Sequence, residues 1–206
     1  MKLYMLLDAS GSMGNNWKET LGAINAFVKS KNDTSIEGIT VIAHDMLETM
    51  RYRVLRDNVP FKHWVNLTNE EVSPGGATPL LDAMGRMLSQ IETDKPERAI
   101  VVVITDGHEN ASKEYKLETL RIKMETLKKM NVEFTFIGAN FDAFGQANDF
   151  GVAAGSTITM NSGFFTKAFT NLRDKAEAYA TAEDFTTMKA AMTYSSKERG
   201  EAAGTS

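Results

Sequence analysis

Asp8, Ser10 and Ser12 place one carboxylate and two hydroxyls at alternate positions of the run Asp8-Ala9-Ser10-Gly11-Ser12. An all-oxygen set without His or Cys suits a hard divalent cation such as Mg2+, which takes oxygen ligands and keeps several of its waters. Two later positions offer oxygens in similar settings. Thr78 stands in the Gly-rich turn Gly75-Gly76-Ala77-Thr78-Pro79-Leu80, and Asp106 in Thr105-Asp106-Gly107. Taken singly, each group has a plainer reading. Asp8, Ser10 and Ser12 favour helix caps, Thr78 would cap a helix before Pro79, and Asp106-Gly107 reads as a turn.

The elements around these residues decide between the readings. Leu3-Tyr4-Met5-Leu6-Leu7 is an apolar run that reads as a buried strand ending at Asp8. Trp17, Leu21, Ile24, Phe27 and Val28 recur at helical spacing. Residues 38–43 are a β-branched strand, with His44-Asp45 after it, and 49–55 alternate as a second strand. The short connection between the two predicts an antiparallel pair. Leu81, Met84, Met87, Leu88 and Ile91 predict a helix ending before Pro96. Residues 99–104 are continuously apolar, as in a central parallel strand buried on both faces. Ser112 is a candidate cap for a helix carrying Leu117, Leu120, Met124 and Leu127. A strand over 132–138, a short helix over 142–149, a strand over 156–160 and a helix over 164–182 follow. A capping box at Thr181-Ala182-Glu183-Asp184 opens a last short helix, and the polar residues 195–206 are expected to be unstructured.

This alternation predicts an α/β fold: a doubly wound, mostly parallel sheet with one antiparallel edge strand and helices on both faces. Residues 1–182 form the expected domain, and 183–206 a terminal helix and tail. Such sheets bind ligands at the carboxyl ends of their strands, where the strand order reverses. Asp8 and Asp106 both fall at strand ends, and Thr78 opens a helix.

In order and spacing, the three segments resemble the metal-ion-dependent adhesion site of the von Willebrand factor type A domain family. That family's pattern is Asp-x-Ser-x-Ser, a later Thr and a later Asp. The matching residues here are Asp8, Ser10, Ser12, Thr78 and Asp106, over roughly residues 1–180, in the style of stand-alone prokaryotic and phage members. The resemblance implies that the two serines and the threonine touch the ion while the aspartates act through water. It further implies Mg2+, or Mn2+ or Ca2+, as cofactor, and a protein partner that offers a Glu or Asp to an open position. On this reading the chain is a binding module and not an enzyme. Gly11, Gly76, His44, Asp45 and His108 are candidates for the rim of the ligand face. His44-Asp45 also fits a solvated turn, and His108 a polar loop capping the next helix.

Composition excludes other classes. The net charge is -4, without a block of Lys or Arg, which argues against nucleic acid as a partner. There is no cysteine, hence no disulfide framework, zinc-thiolate site or thiol nucleophile. No apolar stretch approaches the ~20 residues of a membrane span, and the start MKLYMLL lacks the long apolar core of a signal peptide. A cytoplasmic protein is expected, in the host cytoplasm if phage-encoded. An enzyme reading rests on the strand followed by Asp8, as in phosphatases with an aspartyl nucleophile. Those place a second Asp two positions on, where this chain has Ser10. A third reading is an assembly protein whose ion only staples loops together.

Overall fold

A computed structural model describes residues 1–29, 36–139 and 143–205. Six strands form one sheet: β1 (Lys2–Asp8), β2 (Gly38–Met46), β3 (Met50–Val59), β4 (Ala99–Thr105), β5 (Val132–Ala139) and β6 (Thr157–Met160). Their spatial order is β3-β2-β1-β4-β5-β6. All neighbours pair parallel except β3, which runs antiparallel to β2 at the edge. The described helices are α1 (Trp17–Lys29), α2 (Leu80–Asp94), α3 (Leu117–Lys128), α4 (Ala143–Asp149), α5 (Phe165–Thr181), α6 (Phe185–Ala191) and α7 (Ser196–Ala203).

The central strands are buried throughout, and their side chains alternate between two apolar layers. Leu3, Met5 and Leu7 of β1 join Ile100, Val102 and Ile104 of β4 in a layer that includes Leu21 and Ile24 of α1 and Phe169 and Leu172 of α5. Tyr4, Leu6, Val101 and Val103 face the other way, onto Met84 and Leu88 of α2, Leu120 and Met124 of α3 and Ala147 of α4. Each fully buried Leu, Ile or Met adds about 1.5–3 kcal/mol of apolar transfer. The layers therefore hold the strand ends in fixed register. Strand order reverses between β1 and β4, so Asp8 and Thr105 leave the sheet side by side.

Several local expectations need correction. His44 and Asp45 lie within β2, not after it. Ser112 does not cap α3; Lys116 precedes that helix without a side-chain cap. Ahead of α6 the cap is Asp184, whose carboxylate accepts from the backbone N–H of Thr186 and Thr187. Thr181 instead donates its hydroxyl to Glu177 O within α5. The segment expected to be unstructured contains α7, opened by a capping box in which Ser195 Oγ and the Glu198 carboxylate bond each other's backbone N–H. Met188, Met192, Tyr194 and Ala202 belong to the α1/α5 layer, so residues beyond 182 are held by apolar packing that a count of polar residues does not show. Asp142, expected to begin a helix, lies outside the described residues.

Candidate metal centre

Asp8 ends β1 with no exposed surface, because strands pair on both sides of it. Its Oδ1 accepts from the Ser10 backbone N–H at 2.8 Å, which bends the chain back after the strand. Its Oδ2 accepts from the Thr105 hydroxyl at 2.7 Å, and Thr105 Oγ1 in turn accepts from the Gly107 N–H at 3.2 Å. One carboxylate thus organises the loops leaving both central strands.

The hydroxyls of Ser10 and Ser12 stand 3.1 Å apart, and Ser12 Oγ donates to Asp106 Oδ1 at 2.6 Å. With the Ser12 proton committed to the carboxylate, Ser10 is the donor of the pair. A ridge of oxygens therefore runs Ser10, Ser12, Asp106. Asn16 Nδ2 approaches Asp106 Oδ2 at 3.4 Å. Thr78 comes in from the third side, nearly buried, its N–H bonded to Asn110 Oδ1 at 2.9 Å and its carbonyl accepting from the Asn110 N–H at 3.1 Å. A Cβ placed on Gly107 would lie 3.2 Å from Ser12 Oγ and 3.6 Å from Thr78 Oγ1. Both hydroxyls thus border the space that glycine leaves open.

Backbone bonds lock the loops to one another. Gly11 N–H donates to Gly76 O at 2.9 Å, and Gly75 N–H to Ala9 O at 2.8 Å. Ala77 and Met46 exchange two bonds, 2.8 and 2.9 Å, as an isolated bridge. Gly76 has φ +75, and a Cβ there would sit 2.0 Å from Met46 O. Only glycine permits that approach.

The electrostatics are one-sided. Burial pushes the Asp106 carboxyl above its usual range, with hydrogen bonds from Ser12 and Asn16 opposing and the nearby Asp8 adding to the rise. Among the described residues no ion pair reaches Asp8 or Asp106. Asp45, equally buried, is by contrast neutralised by Arg51 and Arg53. Two adjacent carboxylates without a cationic partner are what a metal ion would relieve. The donor set fits: adjacent ligands of an octahedral Mg2+ at about 2.1 Å stand roughly 3.0 Å apart, close to the Ser10–Ser12 separation. Among the described residues no group of three or more His, Cys, Asp or Glu side chains could hold a metal ion, so such a site depends on hydroxyls.

The expected rim residues divide. Gly11 and Gly76 are exposed beside the hydroxyls, and His108 is exposed after Gly107. His44 and Asp45 have no exposed surface, which corrects both their placement on the rim and the solvated-turn alternative. His44 is the register neighbour of Asp8, and both its ring nitrogens lack a hydrogen-bond partner. Burial lowers its pKa against the pull of Asp8, Asp45 and Glu109.

Sequence reasoning gave no role to Thr105 or Asn16, and did not single out Asp82; Glu109 and Asn110, expected with His108 to shape the ligand face or to cap the next helix, instead bond backbone groups at the start of α2 and at Thr78. Glu109 accepts from the N–H groups of Leu81 at 2.8 Å, Ala111 at 2.8 Å and Ser112 at 2.7 Å. It ties the β4–α3 connection to the start of α2. Buried Asp82 does the same through Lys113, Glu114 and Tyr115. Asp82 lies on the apolar face of a predicted helix, and that misplacement was the available signal.

The profile of the von Willebrand factor type A domain family matches residues 2–178. No curated protein matches. Proximal thread matrix protein 1 from the mussel byssus is similar at 17% identity and TM-score 0.57, over 84% of this chain and 46% of that one. A manganese-loaded TRAP protein of Plasmodium vivax is similar at 16% and 0.57, over 81% and 70%. A von Willebrand factor type A protein from Catenulispora acidiphila is similar at 15% and 0.53, over 86% and 42%. The chain spans less than half the length of the mussel protein. At these identities the likeness establishes a shared fold.

Proposed function

Because the chain belongs to the von Willebrand factor type A domain family, we propose that it is a non-catalytic, metal-ion-dependent protein-binding module. Ser10, Ser12 and Thr78 would hold Mg2+ or Mn2+ directly, with Asp8 and Asp106 supporting it through water. A bound ion supplies a poorly quenched positive charge that attracts a Glu or Asp carboxylate of a partner protein. Asp8 keeps the two central loops in register through Ser10 N–H and Thr105, and Asp106 accepts the hydrogen bond of the Ser12 hydroxyl, turning that oxygen's lone pairs toward the open side. Gly107 leaves room between Ser12 and Thr78 for the incoming group. The family's manganese-loaded Plasmodium relative is consistent with this assignment.

The single observation that carries the reading is the pair of carboxylates at Asp8 and Asp106, lacking any cationic partner among the described residues and bordered by three converging hydroxyls. No described helix is long and apolar enough to cross a membrane, and the cysteine-free composition supports a cytoplasmic setting. The test is capture from the native host with wild-type and Asp8→Ala protein, each in Mg2+ and in EDTA. A partner retained only by wild type in Mg2+ is expected. The same proteins retained in EDTA would refute the reading.

A further inference from the structure

Beside the candidate metal loops lies a cavity of about 500 Å³, bordered by Leu81, His108, Glu109, Leu117, Gln146 and Phe150. Its size is that of a small-ligand site. It opens at the carboxyl-terminal end of the sheet, since His108 and Glu109 directly follow Asp106-Gly107. Its walls are mixed: leucines and a phenylalanine on one hand, a carboxylate and an imidazole on the other.

Gln146, the fourth residue of α4, is the unusual member. It is only 7% exposed, and neither Oε1 nor Nε2 has a hydrogen-bond partner. A buried carboxamide left unpaired on both atoms costs stability that a Met or Leu of similar volume would not. Glu109 and Asp82 show the opposite pattern nearby, each with its carboxylate saturated by backbone donors. Among the described residues that border this cavity, Gln146 is the one whose buried polar atoms lack a partner.

We infer that Gln146 is a recognition residue: its carboxamide, whose oxygen and nitrogen are both buried in the free protein, rotates into the cavity on binding and pairs with an amide of the bound partner, an Asn or Gln side chain next to the carboxylate offered to the metal. An amide carries a donor and an acceptor side by side, so its natural complement is another amide. Leu81, Leu117 and Phe150 supply the apolar wall beside that pair. The separation is short in sequence, two residues from Asp106 to His108, so neighbouring partner residues can serve both places. The partner's carboxylate in this inference rests on the metal-face reading above; the amide pairing does not.

Two measurements test it. Gln146→Met is expected to raise the melting temperature by about 2–4 °C, because it removes an unpaired buried amide. A lower melting temperature would mean that the carboxamide is structurally paired, and would overturn the inference. The second measurement titrates 15N-labelled wild type with N-acetyl-aspartyl-asparagine amide or N-acetyl-aspartyl-leucine amide, in Mg2+ and in EDTA. The Gln146 side-chain resonances are assigned by their loss in Gln146→Met. The asparagine peptide is expected to shift those resonances and to bind at least threefold tighter than the leucine peptide, with the preference gone in Gln146→Met. Equal binding of the two peptides with the Gln146 resonances unmoved would overturn the amide site and leave the metal reading intact. Shifts of equal size in EDTA would uphold the amide site while removing the metal from recognition.

Discussion

The Ser12 hydroxyl donates to the Asp106 carboxylate across 2.6 Å, joining residues 94 positions apart in the chain. That bond couples the loop after β1 to the loop after β4, the two strands between which the sheet reverses its order. A carboxylate that accepts from a hydroxyl directs that oxygen's lone pairs elsewhere, which is how an acidic residue can support an ion without touching it.

Gly76 is expected to be the least replaceable residue of the rim. Its positive φ and its approach to Met46 O leave no place for a methyl group. Gly76→Ala should cost more than about 1 kcal/mol, and it should also weaken Mg2+ binding by displacing Thr78. Urea unfolding and calorimetry check the two effects. Unchanged stability would show that the loop relaxes freely.

Asp82→Ala should destabilise the protein by roughly 3 kcal/mol, since it strands three backbone donors around a buried position. Hydrogen exchange should speed up at Lys113, Glu114 and Tyr115 well before the sheet amides respond. Exchange that changes uniformly across the protein would contradict a local anchoring role.

Stability should depend on pH through His44. Burial holds its folded-state pKa below the ordinary value, whereas the unfolded chain titrates near about 6.5. The unfolded state therefore binds the extra proton first. Stability is fully present above about 6.5 and falls as pH drops below it toward the folded pKa. The nearby carboxylates of Asp8, Asp45 and Glu109 pull the other way and moderate the slope without reversing it. Denaturation curves between pH 7.5 and 5 should show this decline in wild type and a flatter profile in His44→Leu. Parallel profiles would remove His44 as the source.

The architecture was legible because apolar periodicity is strong where strands are buried on both faces. Ala99–Thr105 shows no exposed residue and is the central strand its composition implies. The motif pointed to Asp8, Ser10, Ser12, Thr78 and Asp106 as one group; Asp8 and Asp106 do stand at strand ends, with Ser10 and Ser12 in the turn after β1 and Thr78 ahead of α2. The residues that brace them were not legible. Asn16, Thr105 and Asn110 brace the site through hydrogen bonds to Asp106, Asp8 and Thr78, partners far along the chain, and no local pattern marks such contacts. His44 was misjudged because β2 runs on past its β-branched stretch to Met46, carrying a polar pair into the interior where Arg51 and Arg53 neutralise Asp45. The tail was misjudged because a short capped helix can be polar on most of its surface and still bury Ala202.

Calorimetric titration of Mg2+ or Mn2+ into wild type and into Ser10→Ala/Ser12→Ala tests the central claim most directly. The account predicts one site of millimolar or tighter affinity in wild type, weakened at least tenfold when the two hydroxyls are removed, with the fold intact by circular dichroism. Binding of equal strength in both proteins, or no binding in wild type, would contradict it.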